Sequence, residues 1–142
     1  MSTCMNTAEY PLDVTVVMPT YNRAALVERA LDSIRAQTPP VRHIVIVDDA
    51  SLDGTPEVAR AWARPHDQSL HVEVLPHNVG PAAARNIGIK LSQTACVAFL
   101  DSDDEYFPSP FERVQRLQVR GTARGTPVPG MVALYSGRRT CQ

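Results

Sequence analysis

At 142 residues the chain is long enough to bury one core of its own, and 44% apolar with 20% charged residues excludes a disordered or fibrous protein. Net charge is −1 but uneven, with 8 Lys and Arg against 14 Asp and Glu over residues 1–111, and 6 Arg against one Glu over 112–142. That basic stretch lacks interleaved aromatics, which argues against nucleic acid as a partner and for a solvated face. Cys4, Cys96 and Cys141 form neither a CxxC pair nor an even-numbered disulfide framework. No run approaches the roughly 20 apolar residues of a membrane span, and the N-terminus has no signal-peptide core. The expectation is a cytoplasmic protein, membrane-peripheral at most in a longer form.

Residues 1–12 read as a flexible leader. Val14-Thr15-Val16-Val17-Met18 is a β-branched buried run that Pro19 should stop. Asn22 is placed to cap a helix with an apolar stripe of Val27, Leu31 and Ile34, flanked by Leu26 and Ala30 and ended by Pro39-Pro40. Ile44 to Val47 form a second strand that runs into Asp48 and Asp49. One of that pair is expected to cap the following turn through Ser51 or Thr55. Thr55-Pro56-Glu57 opens a second helix with Val58, Ala61 and Trp62 inward. Leu70 to Leu75 alternate as an edge or half-exposed strand does. A third helix starts at Asn78 to Pro81 and continues through Ala84, Ile87 and Leu91. Gly88 inside it costs about 1 kcal/mol relative to Ala, which implies a close packing contact. Cys96 to Leu100 form a fourth strand, Cys96 a small core residue. Phe111 to Arg120 read as a helix and Met131 to Tyr135 as a fifth strand. Strands alternating with helices of this length give a parallel sheet with right-handed crossovers, an α/β fold in three αβα layers.

The fourth strand ends in Asp101-Ser102-Asp103-Asp104, three carboxylates within four positions. Like charges this close repel, so a fold gathers them mainly where a cation neutralises them, and carboxylate oxygens suit hard Mg²⁺ or Mn²⁺. The bland alternative is a solvated acidic turn in which Asp101 or Ser102 caps a helix. In open α/β sheets ligands bind outside the carboxyl ends of the strands. Three such ends supply Pro19-Thr20-Tyr21-Asn22, Asp48-Asp49 and Asp101 to Asp104. They offer a ring for a base, carboxylates for amide or hydroxyl groups, and carboxylates for a metal, a combination that suits a nucleotide diphosphate. Neither GxxxxGK[ST] nor GxGxxG occurs, so a divalent ion on Asp101 and Asp103 is the economical way to neutralise the phosphates.

VTVVMPTYN (Val14–Asn22), IVIVDDASLD (Ile44–Asp53), NVGPAAARNIGI (Asn78–Ile89) and FLDSDD (Phe99–Asp104) follow one another in the order typical of family 2 glycosyltransferases. The chain resembles the nucleotide-sugar-binding half of their GT-A fold, well over 14–107 and loosely over 108–142. The resemblance implies a Rossmann-like, mostly parallel sheet, with 13–107 the nucleotide-sugar-binding domain and 108–142 the incomplete start of a second half. It implies inverting, metal-dependent transfer of a sugar from a nucleotide-diphosphate sugar to an acceptor hydroxyl. Pro19 and Tyr21 would line the base pocket, Asp49 would accept from the base, Asp101 would reach ribose or metal, and Asp103 would hold the metal, with Asp104 as its rival. Arg85 would lie near the donor, and Thr20, Asn22, Asp48 and Ser102 belong to the same donor set.

The base that takes the acceptor's proton is expected beyond Gln142, since nothing after Glu112 is acidic. The chain therefore reads as a C-terminally truncated donor half, inactive alone. The alternatives are a non-catalytic nucleotide-binding remnant, a receiver-like phosphoacceptor domain and a nucleotidyltransferase. No lysine follows Asp101, which disfavours the receiver; PTYNRAA has no glycine-rich phosphate loop, which disfavours the nucleotidyltransferase.

Overall fold

The computed structural model describes residues 12–37, 40–66, 68–94 and 96–106. The elements run in the anticipated alternation: β1 (Leu12–Thr20), α1 (Val27–Arg35), β2 (Val41–Asp48), α2 (Thr55–His66), β3 (Leu70–Val74), α3 (Pro81–Leu91) and β4 (Cys96–Phe99). The helix expected over 111–120 and the strand over 131–135 lie outside the described residues. No helix among the described residues is long and apolar enough to cross a membrane.

All strand pairs are parallel, in the order β3-β2-β1-β4. The half-exposed alternation of β3 therefore matches its place at the end of the strand order among the described residues. The chain steps outward from β1 to β2 to β3, then crosses back to the other side of β1. Right-handed crossovers in opposite directions put their helices on opposite faces, and the core divides accordingly. Val14, Val16, Met18, Ile44 and Ile46 pack with α1 and α2 through Val27, Leu31, Ile34, Ala59 and Trp62. On the other face Val17, Val45, Val47 and Val97 pack with α3 through Ala84. Alternate residues of β1 thus face different cores, and a strand buried on both faces reads as a continuous apolar run.

Three local expectations are corrected. Asn22 does not cap α1: the helix begins at Val27 with no side-chain cap at Leu26, and Asn22 lies outside it in the left-handed region at φ 51°. Ala61 is exposed; the inward stripe of α2 is Thr55, Ala59 and Trp62, with Val58 half-buried against the same core as expected. Finally, Pro19 does not stop β1, which continues to Thr20. Backbone groups of alternate residues in β1 point to opposite neighbours: the Thr20 carbonyl accepts from Asp49 on the β2 side, and the Val17 carbonyl accepts from Leu100 on the β4 side. Pro19 shares the parity of Val17, so its missing N–H faces β4 at the level where that ladder, last paired at Val17 and Phe99, has ended.

Gly88 is the close contact its position implied. A Cβ there would lie 2.3 Å from Val17 Cγ1, so only glycine lets α3 sit this near β1. That approach holds Ala84 and Arg85, one turn earlier, over the carboxyl end of the sheet.

Candidate functional site

The crossing between β1 and β4 is where the direction of strand addition reverses, and a crevice opens there between the diverging strand ends. A cleft of about 350 Å³ occupies it, lined by the β1 end (Pro19, Thr20, Tyr21, Arg23), Asp49, the entry to α3 (Asn78, Gly80, Pro81, Ala84 and Arg85) and Asp101, Ser102 and Asp103 after β4. Of the anticipated donor residues it gathers Pro19, Thr20, Tyr21, Asp49, Arg85, Asp101, Ser102 and Asp103. Asn22, Asp48 and Asp104 are not on its wall.

The two neighbouring carboxylates at the end of β2 do different work. Asp48 is fully buried and accepts from the Thr20 hydroxyl (2.9 Å), the Ser51 amide (2.9 Å) and the Ser51 hydroxyl (2.7 Å). It is the member of the pair that caps the turn, and its oxygens are turned inward. Asp49, 4% exposed, reaches across the cleft floor instead: Oδ1 accepts from the Val79 amide (2.7 Å) and Oδ2 from the Gly80 amide (2.9 Å). Gly80 takes φ 92° and has no side-chain cap, so Asp49 supplies from another strand the acceptors that this helix entrance needs. Pro81 follows as the first helical residue, where its missing N–H costs nothing.

Opposite Asp49, the chain leaves β4 through a turn closed by the Asp104 amide on the Asp101 carbonyl (2.9 Å). This turn brings one carboxylate oxygen from each of Asp101, Asp103 and Asp104 within 4.8 Å of one another. The donor set is all oxygen, Asp103 is exposed and Asp101 half-exposed; a hard divalent cation that keeps part of its hydration fits such a rim. Arg85 Nη2 donates to Asp101 Oδ1 at 2.7 Å, while the Arg85 Nε–H is buried with no hydrogen-bond partner among the described residues. Arg85 is thus a wall of the cleft and not a surface charge.

Sequence reasoning missed Arg23, Asn78 and Tyr106. Arg23 and Asn78 line the cleft; Arg23 directly follows the VTVVMPTYN run and Asn78 opens NVGPAAARNIGI, and neither was assigned to the ligand. Tyr106 is 5% exposed, donates its hydroxyl to the Phe99 carbonyl (2.5 Å) and its amide to Ser33 Oγ (3.0 Å), and so binds the acidic turn back onto β4 and α1. Burial, and then the nearby negative charge of Asp101, push its phenol well above the ordinary range. No local pattern marks that role, because its partners lie on two other elements.

The sequence profile of Glycosyl transferase family 2 matches residues 15–126. The putative teichuronic acid biosynthesis glycosyltransferase TuaG of Bacillus subtilis is 37% identical over 100 residues, covering 70% of this chain and 39% of that protein. Succinoglycan biosynthesis protein ExoO of Rhizobium meliloti is 37% identical over 116 residues, 82% of this chain and 32% of its own length. Among solved structures, the mannosyltransferase PcManGT from Pyrobaculum calidifontis in complex with GDP-Man and Mn²⁺ aligns at TM-score 0.63 and 38% identity, over 70% of this chain and 30% of that one. S. aureus TarS 1-349 in complex with UDP aligns at TM-score 0.70 and 27% identity, over 78% and 33%. The chain spans about a third of the length of the relatives it matches.

Proposed function

Because the chain belongs to glycosyl transferase family 2 and has the GT-A-like α/β fold of its structural neighbours, we propose that its cleft is the donor site of a glycosyltransferase. The ligand is the nucleotide part of a nucleotide-diphosphate sugar together with a divalent cation. The reaction it serves is inverting transfer of the sugar to an acceptor hydroxyl, in a cytoplasmic setting. One observation carries the reading: an exposed aromatic at a strand end, a fixed carboxylate and the Asp101 and Asp103 carboxylates line one crevice at the sheet's switch point, with Asp104 beside the last two. Neighbours with GDP-Man and Mn²⁺ or with UDP bound support the ligand class.

Tyr21 is 45% exposed and offers a ring face for a base; Asp49, held rigid by two amides, keeps outward lone pairs for base N–H groups. Asp101 accepts ribose hydroxyls or shares the cation with Asp103, and Asp104 is the alternative ligand. The cation, Mn²⁺ or Mg²⁺, supplies Lewis-acid neutralisation of the departing diphosphate. Arg85 lines the same wall and, beyond the Nη2 bond to Asp101, carries further guanidinium N–H groups for an anionic or carbonyl oxygen of the donor. The cation-holding carboxylates are poor candidates for the acceptor's base, and that base is a separate group.

Isothermal titration of the folded chain with UDP, GDP and dTDP in the presence of Mn²⁺ tests this. At least one should bind, and binding should weaken at least tenfold when Mn²⁺ is chelated. Silence with all three sinks the proposal.

A further inference from the structure

The β1–α1 loop supplies the cleft wall through Tyr21 and Arg23, yet Asn22 between them takes no part in the wall. Its contacts go to the β2–α2 loop. Three consecutive amides of the first loop each find a side-chain acceptor on the second: Asn22 N–H on Ser51 Oγ (2.8 Å), Arg23 N–H on Thr55 Oγ1 (2.9 Å) and Ala24 N–H on Asp53 Oδ2 (3.0 Å). In return Asn22 Oδ1 accepts from the Leu52 amide (2.8 Å). Each acceptor is itself held. Ser51 donates to buried Asp48, and Thr55 donates through both amide and hydroxyl to Asp53.

Two non-glycine residues with positive φ flank this interlock, Asn22 at 51° and Ala50 at 63°. A left-handed residue other than glycine costs roughly 1 kcal/mol or more and persists only where surrounding contacts over-determine it. Asn tolerates the conformation better than most residues, and here its side chain is what closes the exchange.

We propose that Asn22, Ser51 and Asp53 are positioning residues for nucleotide recognition, which fix the Tyr21–Arg23 wall through this two-loop exchange of backbone amides and side-chain acceptors. They touch no ligand; they hold still the segment that does. The inference rests on the donor-site reading above, and it makes the base half of the cleft dependent on the interlock and the acidic half independent of it. The acidic rim stands on other supports: β4, the turn that follows it, and Tyr106 through its bonds to Phe99 and Ser33.

The test separates the two halves with two probes, Mn²⁺ plus inorganic pyrophosphate and Mn²⁺ plus whichever nucleoside diphosphate the wild-type chain binds. Asn22→Gly keeps the backbone free to hold positive φ and removes only the side-chain acceptor. It should weaken the nucleoside diphosphate about tenfold, the upper end of what one internal hydrogen bond stabilises, and leave pyrophosphate within twofold. Asn22→Asp, which keeps the acceptor, should restore affinity to within about threefold. Ser51→Ala gives an independent variant if Asn22→Gly folds poorly by circular dichroism. Unchanged nucleoside diphosphate affinity in both folded variants overturns the proposal. So does an equal loss for both probes, which would mean general loosening. Failure of the wild-type chain to bind any nucleoside diphosphate removes the donor-site reading and this proposal with it; normal wild-type binding with indifferent variants removes this proposal alone.

Discussion

Asp48 and Asp49 stand side by side in sequence, yet one seals a turn and the other braces a helix entrance 30 residues away. Replacing Asp49 with Ala strips the acceptors from two amides, and a buried unsatisfied donor costs about 1–3 kcal/mol; urea unfolding should show a loss in that range. Asp103 is exposed and makes no such brace, so Asp103→Ala should leave the urea midpoint nearly unchanged while abolishing Mn²⁺ binding read by electron paramagnetic resonance. Retained Mn²⁺ affinity would move the cation to other ligands. Asp53 gives a pH signature. Hydrogen bonds from the Thr55 hydroxyl and then the Ala24 amide hold its carboxyl below the ordinary 3.8. A depressed folded value means that its stabilisation is present above about pH 4 and fades as pH falls through the folded value. The difference in urea midpoint between wild type and Asp53→Asn should therefore narrow in acid. At this scale the acidic positions and Tyr21 were legible, because charge clusters and a ring after an apolar run announce themselves. Their partners were not: nothing local says that Asp49 faces Val79 and Gly80, or that Asn22 bonds Leu52 in place of its own helix.

Among elements, the contact between α3 and β1 is the most constrained. Gly88→Ala would drive a methyl group into Val17, whose Cγ1 lies 2.3 Å from the new carbon and belongs to a short branched side chain with nowhere to retreat. Overpacking of this kind costs about 1–3 kcal/mol, and the same displacement draws Arg85 away from Asp101. A urea series on Gly88→Ala should show that loss, and Mn²⁺-dependent nucleotide affinity should fall with it; a variant as stable as wild type contradicts the packing. Periodicity identified every element that the described residues contain, since each has one or two apolar stripes at the right spacing. In α2 it placed Val58 and Trp62 correctly against the core but took Ala61 for Ala59, because two alanines two positions apart give the pattern no apolar contrast. It ended β1 too early because a proline stops a ladder only where its N–H is wanted, and at Pro19 it is not.

For the molecule as a whole, the alternation of elements announced the parallel α/β class and the half-exposed character of β3, but not the order β3-β2-β1-β4 of the described strands. Order depends on which side of β1 the last crossover takes, and no local pattern encodes that choice. A ligand that binds only the folded chain at a hundredfold excess over its Kd stabilises by about 2.7 kcal/mol, equivalent to roughly 10 °C in Tm for a domain of this size. A thermal shift of that order with Mn²⁺ and nucleoside diphosphate together, and little with either alone, is the whole-molecule signature of a shared cleft. The pairing of Val14 with Cys96 has a further consequence. β1 can find β2 after a short excursion of chain, but must wait for more than half the protein before β4 arrives. Closing so long a parallel loop is slow and comes late. On the ribosome, the ring at one lip and the acids at the other stay strangers until β4 slots in. Competence to hold a ligand therefore waits for β4 to take its place, and a chain made only as far as β3 has no means of capturing one.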